Sequence, residues 1–130
     1  MEAGQKISDG KASQSELLRR RTKQFALRII RLFQHLPKST EAQLLGKQLL
    51  RSGTSIAANY RAVCRARSKA EFVAKMGVVV EEADETVFWL ECLLEAGIIR
   101  PELLADLINE ANELLAIFAA SQRTARPRTQ

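Results

Sequence analysis

The chain has 130 residues, 46% of them hydrophobic, with six glycines and three prolines, which fits one globular, helical domain and excludes a disordered chain. Charge interrupts every apolar run, so no membrane span of about 18 residues is expected, and the polar stretch Met1–Gln14 lacks the apolar segment of a secretory signal. The net charge of +5 is unevenly spread, with 15 Lys+Arg against 4 Asp+Glu in residues 1–70 and 5 against 11 in residues 71–130.

Residues 1–12 read as a disordered polar tail, 13–122 as a four-helix unit and 123–130 as a disordered basic tail. The first helix opens at Ser13, where Ser13-x-x-Glu16 has the form of a capping box. Leu18, Thr22, Phe25, Ile29, Leu32 and Leu36 then alternate at spacings of 4 and 3, an apolar seam that Pro37 stops. Arg20, Lys23, Arg28 and Arg31 point away from it.

Thr40 with Gln43 is expected to cap the second helix, which runs to about Arg65. Its core side carries Leu45, Leu49, Ile56 and Val63. On the other side Lys47, Arg51, Thr54, Ala58, Arg61 and Arg65 share one face, a cationic row about 27 Å long at the helical rise. Gly53 costs about 1 kcal/mol relative to Ala inside a helix, so a close helix approach or a backbone contact to phosphate is expected to offset it. Ser52 and Asn59 fall on the core side and need hydrogen-bond partners there, as a buried polar layer that sets helix register.

Ser68-x-x-Glu71 is a further capping box opening the third helix, whose seam is Phe72, Met76, Val79, Ala83, Thr86, Leu90 and Leu93, with Gly97 as the terminating glycine. Val78, Val80, Val87, Phe88 and Trp89 lie off that seam. A helix apolar around most of its circumference has to bury a second side, so Val78, Phe88 and Trp89 are candidate oligomer contacts. Pro101 opens the fourth helix, with Leu104, Leu107, Ala111, Leu114 and Phe118 as its seam. Four long helices with short connections make an all-α, antiparallel up-and-down four-helix bundle.

Nothing in the pattern points to catalysis or to a cofactor. His35, the only histidine, stands at a helix end, where its charge suits the helix dipole. Glu81, Glu82, Asp84 and Glu85 lack the Glu-x-x-His spacing of bundle di-metal sites, so no metal is expected. Cys64 and Cys92 read as reduced core thiols of a cytoplasmic protein.

The stretch Leu49-Leu50-Arg51-Ser52-Gly53-Thr54-Ser55-Ile56-Ala57-Ala58-Asn59-Tyr60-Arg61 resembles the signature of a bacterial family. Ser68-Lys69-Ala70-Glu71-Phe72, Glu81-Glu82-Ala83-Asp84-Glu85-Thr86 and Phe88-Trp89-Leu90 add to it, so the resemblance spans roughly residues 17–120. The family is that of the four-helix-bundle proteins of 23S rRNA intervening sequences, to which accessory proteins of diversity-generating retroelements are similar. The resemblance implies a cytoplasmic bundle that assembles into a ring, a pentamer by expectation, with a basic surface for nucleic acid, and it does not imply an enzyme.

The functional expectation is a homo-oligomeric bundle that contacts phosphates, RNA ahead of DNA, through Arg20, Arg28, Arg31, Lys47, Arg51, Arg61 and Arg65. Aromatic interleaving beyond Tyr60 is sparse, so base stacking is not expected. The competing reading is a structural adaptor ring that docks a partner protein such as a reverse transcriptase, its cations spent on subunit contacts. In the plainest alternative, the basic and acidic halves simply neutralise each other.

Overall fold

The computed structural model describes residues 12–127. Residues 1–11 of the expected N-terminal tail and 128–130 of the expected C-terminal one lie outside the described residues, whereas 123–125, expected to be disordered, are helical. Four helices follow one another: α1 (Gln14–Gln34), α2 (Thr40–Val63), α3 (Lys69–Glu95) and α4 (Pro101–Ala125). Five-residue connections join them, short enough that successive helices run antiparallel. α1 packs on α2, α2 on α3 and α3 on α4, while the α1 and α4 backbones approach at few points and the diagonal helices meet only through core side chains, as Tyr60 of α2 does with Phe118 of α4. This is the expected four-helix bundle, with one seam looser than the other three.

Local chemistry sets the helix ends. Both halves of the Ser13 capping box form: Ser13 Oγ accepts from the Glu16 N–H and Glu16 Oε1 accepts from the Ser13 N–H, each at 3.1 Å. At α2 the cap is Ser39, one residue earlier than expected, with Oγ accepting from the Ala42 N–H. The fully buried Ala42 must face the core, and that requirement places the first turn; Gln43 instead donates its amide to the Pro37 carbonyl at 2.8 Å. Ser68 caps α3, but Glu71 accepts from the Arg67 N–H, so only the forward half of that box forms. α3 ends in a Schellman motif: Gly97 adopts φ +67°, its N–H donates to Leu94 O, and the Ile98 N–H donates to Leu93 O. α2 stops at Val63, so Arg65 lies beyond it, and α4 runs to Ala125, past the expected end at 122.

The seams meet in one core. Phe25, Ile29, Leu49, Ile56, Val79, Leu90, Leu114 and Phe118 are among its fully buried members. Leu45 and Phe72 are half-buried at its margin. The buried hydroxyls of Thr22, Ser52 and Thr86 all find hydrogen-bond partners, whereas the buried Trp89 indole N–H has none among the described residues. Thr22 donates to the Leu18 carbonyl at 2.8 Å. The Thr86 hydroxyl stands 2.9 Å from Ser52 Oγ and 2.8 Å from the Glu82 carbonyl, the one polar bridge through the core between α2 and α3 among the described residues. Asn59, expected on the core side, is half-buried and donates to the Ser55 carbonyl of its own helix.

Two glycines let α1 and α2 approach. A Cβ at Gly53 would stand 3.0 Å from Ile29 Cγ1, and one at Gly46 only 2.5 Å from Leu36 Cδ1. Gly46 and Gly53, a heptad apart, thus form a smooth strip against which Ile29, Phe33 and Leu36 of the first helix and its connection lie. Close approach is therefore the reason for Gly53. Gly53→Val should cost about 1–3 kcal/mol in urea unfolding despite its better helix propensity, because overpacking strains a filled core. Adding Ile29→Ala should return part of that loss.

Candidate nucleic-acid interface

The close α1–α2 pairing places the outward faces of two cationic helices side by side. Between them runs a groove of about 670 Å³ lined by Arg19, Arg20 and Lys23 from α1 and Arg61 from α2. Its floor is Thr54, Ala57 and Ala58, small residues that leave the flanking cations standing proud. The one carboxylate in the lining, Glu16, is held by the Ser13 cap. None of these four cations has an ion-pair partner among the described residues.

The seven cations expected to act together do not form one surface. Arg20 and Arg61 meet in the groove. Arg28 and Arg31 lie at the far end of α1, in a separate cleft with the start of α4. Lys47 is exposed near the start of α2, and Arg65 follows the helix end. Arg51 is spent within the chain: its Nη1 meets Glu82 Oε1 at 3.2 Å and its Nη2 hydrogen-bonds Glu85. Helical spacing alone identifies a face, and the rim of that face at Arg51 abuts α3. Arg19 and Lys23 complete the groove; Lys23 stands among the outward residues of the first helix, whereas Arg19 has no signal until α2 is seen beside it.

The acidic cluster divides in the same way. Glu82 and Glu85 turn toward α2 and clamp Arg51, whose pKa is raised chiefly by its hydrogen bond to Glu85. Glu81 and Asp84 face outward. Across the loose α1–α4 seam, Arg21 forks onto Glu110 (Nε–Oε2 2.7 Å, Nη2–Oε1 2.9 Å) and reaches Glu113. The Arg21 hydrogen bond holds the Glu110 carboxyl below its ordinary range.

Tyr60 is not on the basic face. It lies in the core with its ring 5.2 Å from Phe118, and burial, reinforced by Cys64, pushes its phenol up to about 12. Of the α3 residues offered as oligomer contacts, Val78 and Phe88 are exposed, at 41% and 53%. Trp89 is half-buried and packs on the core, as does Val80, while Val87 is buried within it. α3 lies between α2 and α4, so its buried arc is wide and takes up three of the five off-seam residues without a partner subunit. The two free thiols, Cys64 and Cys92, are half-buried; burial, with the nearby Glu95 and Glu91 carboxylates, pushes the Cys92 thiol up.

Fold and surface define an antiparallel four-helix bundle that carries on one face a groove whose four cations have no ion-pair partner among the described residues. Residues 14–120 match the 23S rRNA-intervening sequence protein family, and the chain belongs to that family. It is also similar to a crystal structure of a protein of unknown function from the S23 ribosomal protein family of Bacteroides thetaiotaomicron, with 32% identity, a TM-score of 0.78, and coverage of 85% of this chain and 99% of that one. Among curated proteins none matches. No described helix is long and apolar enough to cross a membrane.

The Arg21 fork makes a pH prediction. A carboxyl whose pKa is lowered in the fold stabilises the protein above its unfolded pKa, and that stability is lost as pH falls through the lowered value. Glu110→Gln should therefore lower thermal stability at neutral pH and flatten the loss of stability below about pH 5. A variant with an unchanged acid limb would mean that the fork contributes nothing.

Proposed function

We propose that the chain is a homo-oligomeric nucleic-acid-binding bundle that holds phosphates in the α1–α2 groove. The carrying observation is that Arg19, Arg20, Lys23 and Arg61 converge there, while the one carboxylate among the described lining residues is held by a helix cap. Guanidinium and ammonium groups bind phosphates by displacing condensed counterions, without reading bases. With Tyr60 in the core, none of the described residues lining the groove is aromatic, so backbone contact is the mode that fits. Among the described lining residues no nucleophile is paired with a base, which favours binding as the groove's role. The family's name ties its members to sequences within 23S rRNA and puts RNA ahead of DNA as the polyanion. The cytoplasm is the compartment where such a target would be met.

A ring that docks a protein partner, with its cations engaged at subunit contacts, is the second reading. The outward Glu81 and Asp84 favour it, since a neighbour's acidic stripe could cover the basic face. The Arg51 pairing weighs against it, because Glu82 and Glu85 are already engaged inside the chain.

Fluorescence anisotropy with a generic single-stranded RNA across a salt series tests the proposal. Affinity should fall with salt at a slope of about −0.7 per phosphate contacted. Arg20→Glu with Arg61→Glu should weaken binding to all sequences alike and flatten that slope. Lys69→Glu with Lys75→Glu changes the net charge equally on α3 and should leave the slope unchanged. Affinity that ignores salt at low ionic strength, or two double variants with equal losses, would overturn the groove assignment.

A further inference from the structure

The loose α1–α4 seam opens into a second cleft, of about 730 Å³, between the C-terminal half of α1 and the start of α4. Ile98, Ile99 and Leu103 supply apolar surface there, with Leu103 49% exposed. Arg28, Arg31 and Arg100 also line it, and none has an ion-pair partner among the described residues. Glu102 and Asp106 stand on the α4 wall, so the α1 wall carries the excess of positive charge.

The complement of this cleft is on the same chain. Phe88 projects from the outer face of α3, braced edge-on by Trp89 with ring centroids 4.8 Å apart. Glu81, Asp84, Glu91 and Glu95 surround it at helical spacings of 3, 4 and 7, exposed and without ion-pair partners among the described residues. An aromatic knob ringed by carboxylates thus faces outward on one side of the bundle. An apolar cleft edged by arginines opens on another.

We infer that the α1–α4 cleft is the docking site for the Phe88 face of a second copy of this chain. This rests on the reading that the chain self-associates, and adds which surface meets which. The apolar cleft takes the ring out of water, while the arginines meet the carboxylates beside it. Glu102 and Asp106 repel the incoming acidic helix from the α4 wall, so its carboxylates lie along α1, beside Arg28 and Arg31. No α3 residue lines the α1–α4 cleft, so knob and cleft are different surfaces. The contact is therefore heterologous, and repetition closes a ring or extends a filament. It leaves the α1–α2 groove uncovered on every copy, so assembly multiplies phosphate contacts instead of consuming them.

Light scattering on the purified full chain, with circular dichroism to verify each fold, tests the pairing. Wild type should show a multiple of 14.5 kDa. Phe88→Glu, with a broken knob, and Leu103→Glu, with a broken cleft, should each be monomeric. Mixed at high concentration, the two should form a capped pair of twice the monomer mass, since one brings an intact cleft and the other an intact knob. A monomeric wild type would overturn self-association itself. An oligomeric wild type with an unaffected Leu103→Glu, or with a mixture that stays monomeric, would leave self-association standing and overturn this pairing.

Discussion

The bundle depends on two helices of like charge lying close together. α1 and α2 each present cations to solvent, and repulsion between them would favour separation. Gly46 and Gly53 remove the Cβ atoms that would hold them apart, so Ile29, Phe33 and Leu36 reach the α2 backbone. Dispersion and apolar burial along that strip act at short range, whereas repulsion between exposed cations is screened within about 8–10 Å at physiological salt. Close packing therefore prevails, and a concentrated positive surface on the outer side is its consequence.

Among the described residues, the cations of α1 and α2 that are paired within the chain lie at the flanks of that surface. Arg51 is clamped by Glu82 and Glu85 where α2 meets α3, and Arg21 by Glu110 and Glu113 where α1 meets α4. These pairs do different work. The α2–α3 seam is already joined by extensive packing and the Ser52–Thr86 bridge, so the partly exposed Arg51 pair adds little. The α1 and α4 backbones approach at few points, and a bidentate fork onto a part-buried Glu110 carries more of their alignment. Between the two flanks the groove cations face solvent, which is the arrangement a polyanion site requires.

Much of this architecture can be read from the chain before any fold is known. Alternating spacings of 4 and 3 specify the buried face of each helix, and Ser13, Gly97 and Pro101 mark their ends, because caps and seams are local. The neighbour that a charged residue meets is not local. A row from Lys47 to Arg65 identifies one face of a helix, but Arg51 sits where that face abuts α3, and Arg65 lies past the last turn. Arg19 joins the groove only because α2 runs beside it. The apolar excess of α3 is likewise legible, whereas its disposal requires knowing that α3 is flanked on two sides; Val80, Val87 and Trp89 turn inward and Phe88 does not. Gly53 signals a close approach through its helix cost, and Gly46 is seen to share that role only once Leu36 lies over it.

The proposed phosphate-binding role rests on Arg19, Arg20, Lys23 and Arg61 acting together in the α1–α2 groove. Lysine acetylation footprinting, read by mass spectrometry with and without single-stranded RNA at low salt, tests it at the level of one side chain. The groove assignment predicts that RNA slows modification of Lys23 while Lys75 on α3 reacts at its unbound rate. Equal reactivity of Lys23 with and without RNA, or protection as strong at Lys75 as at Lys23, would contradict it.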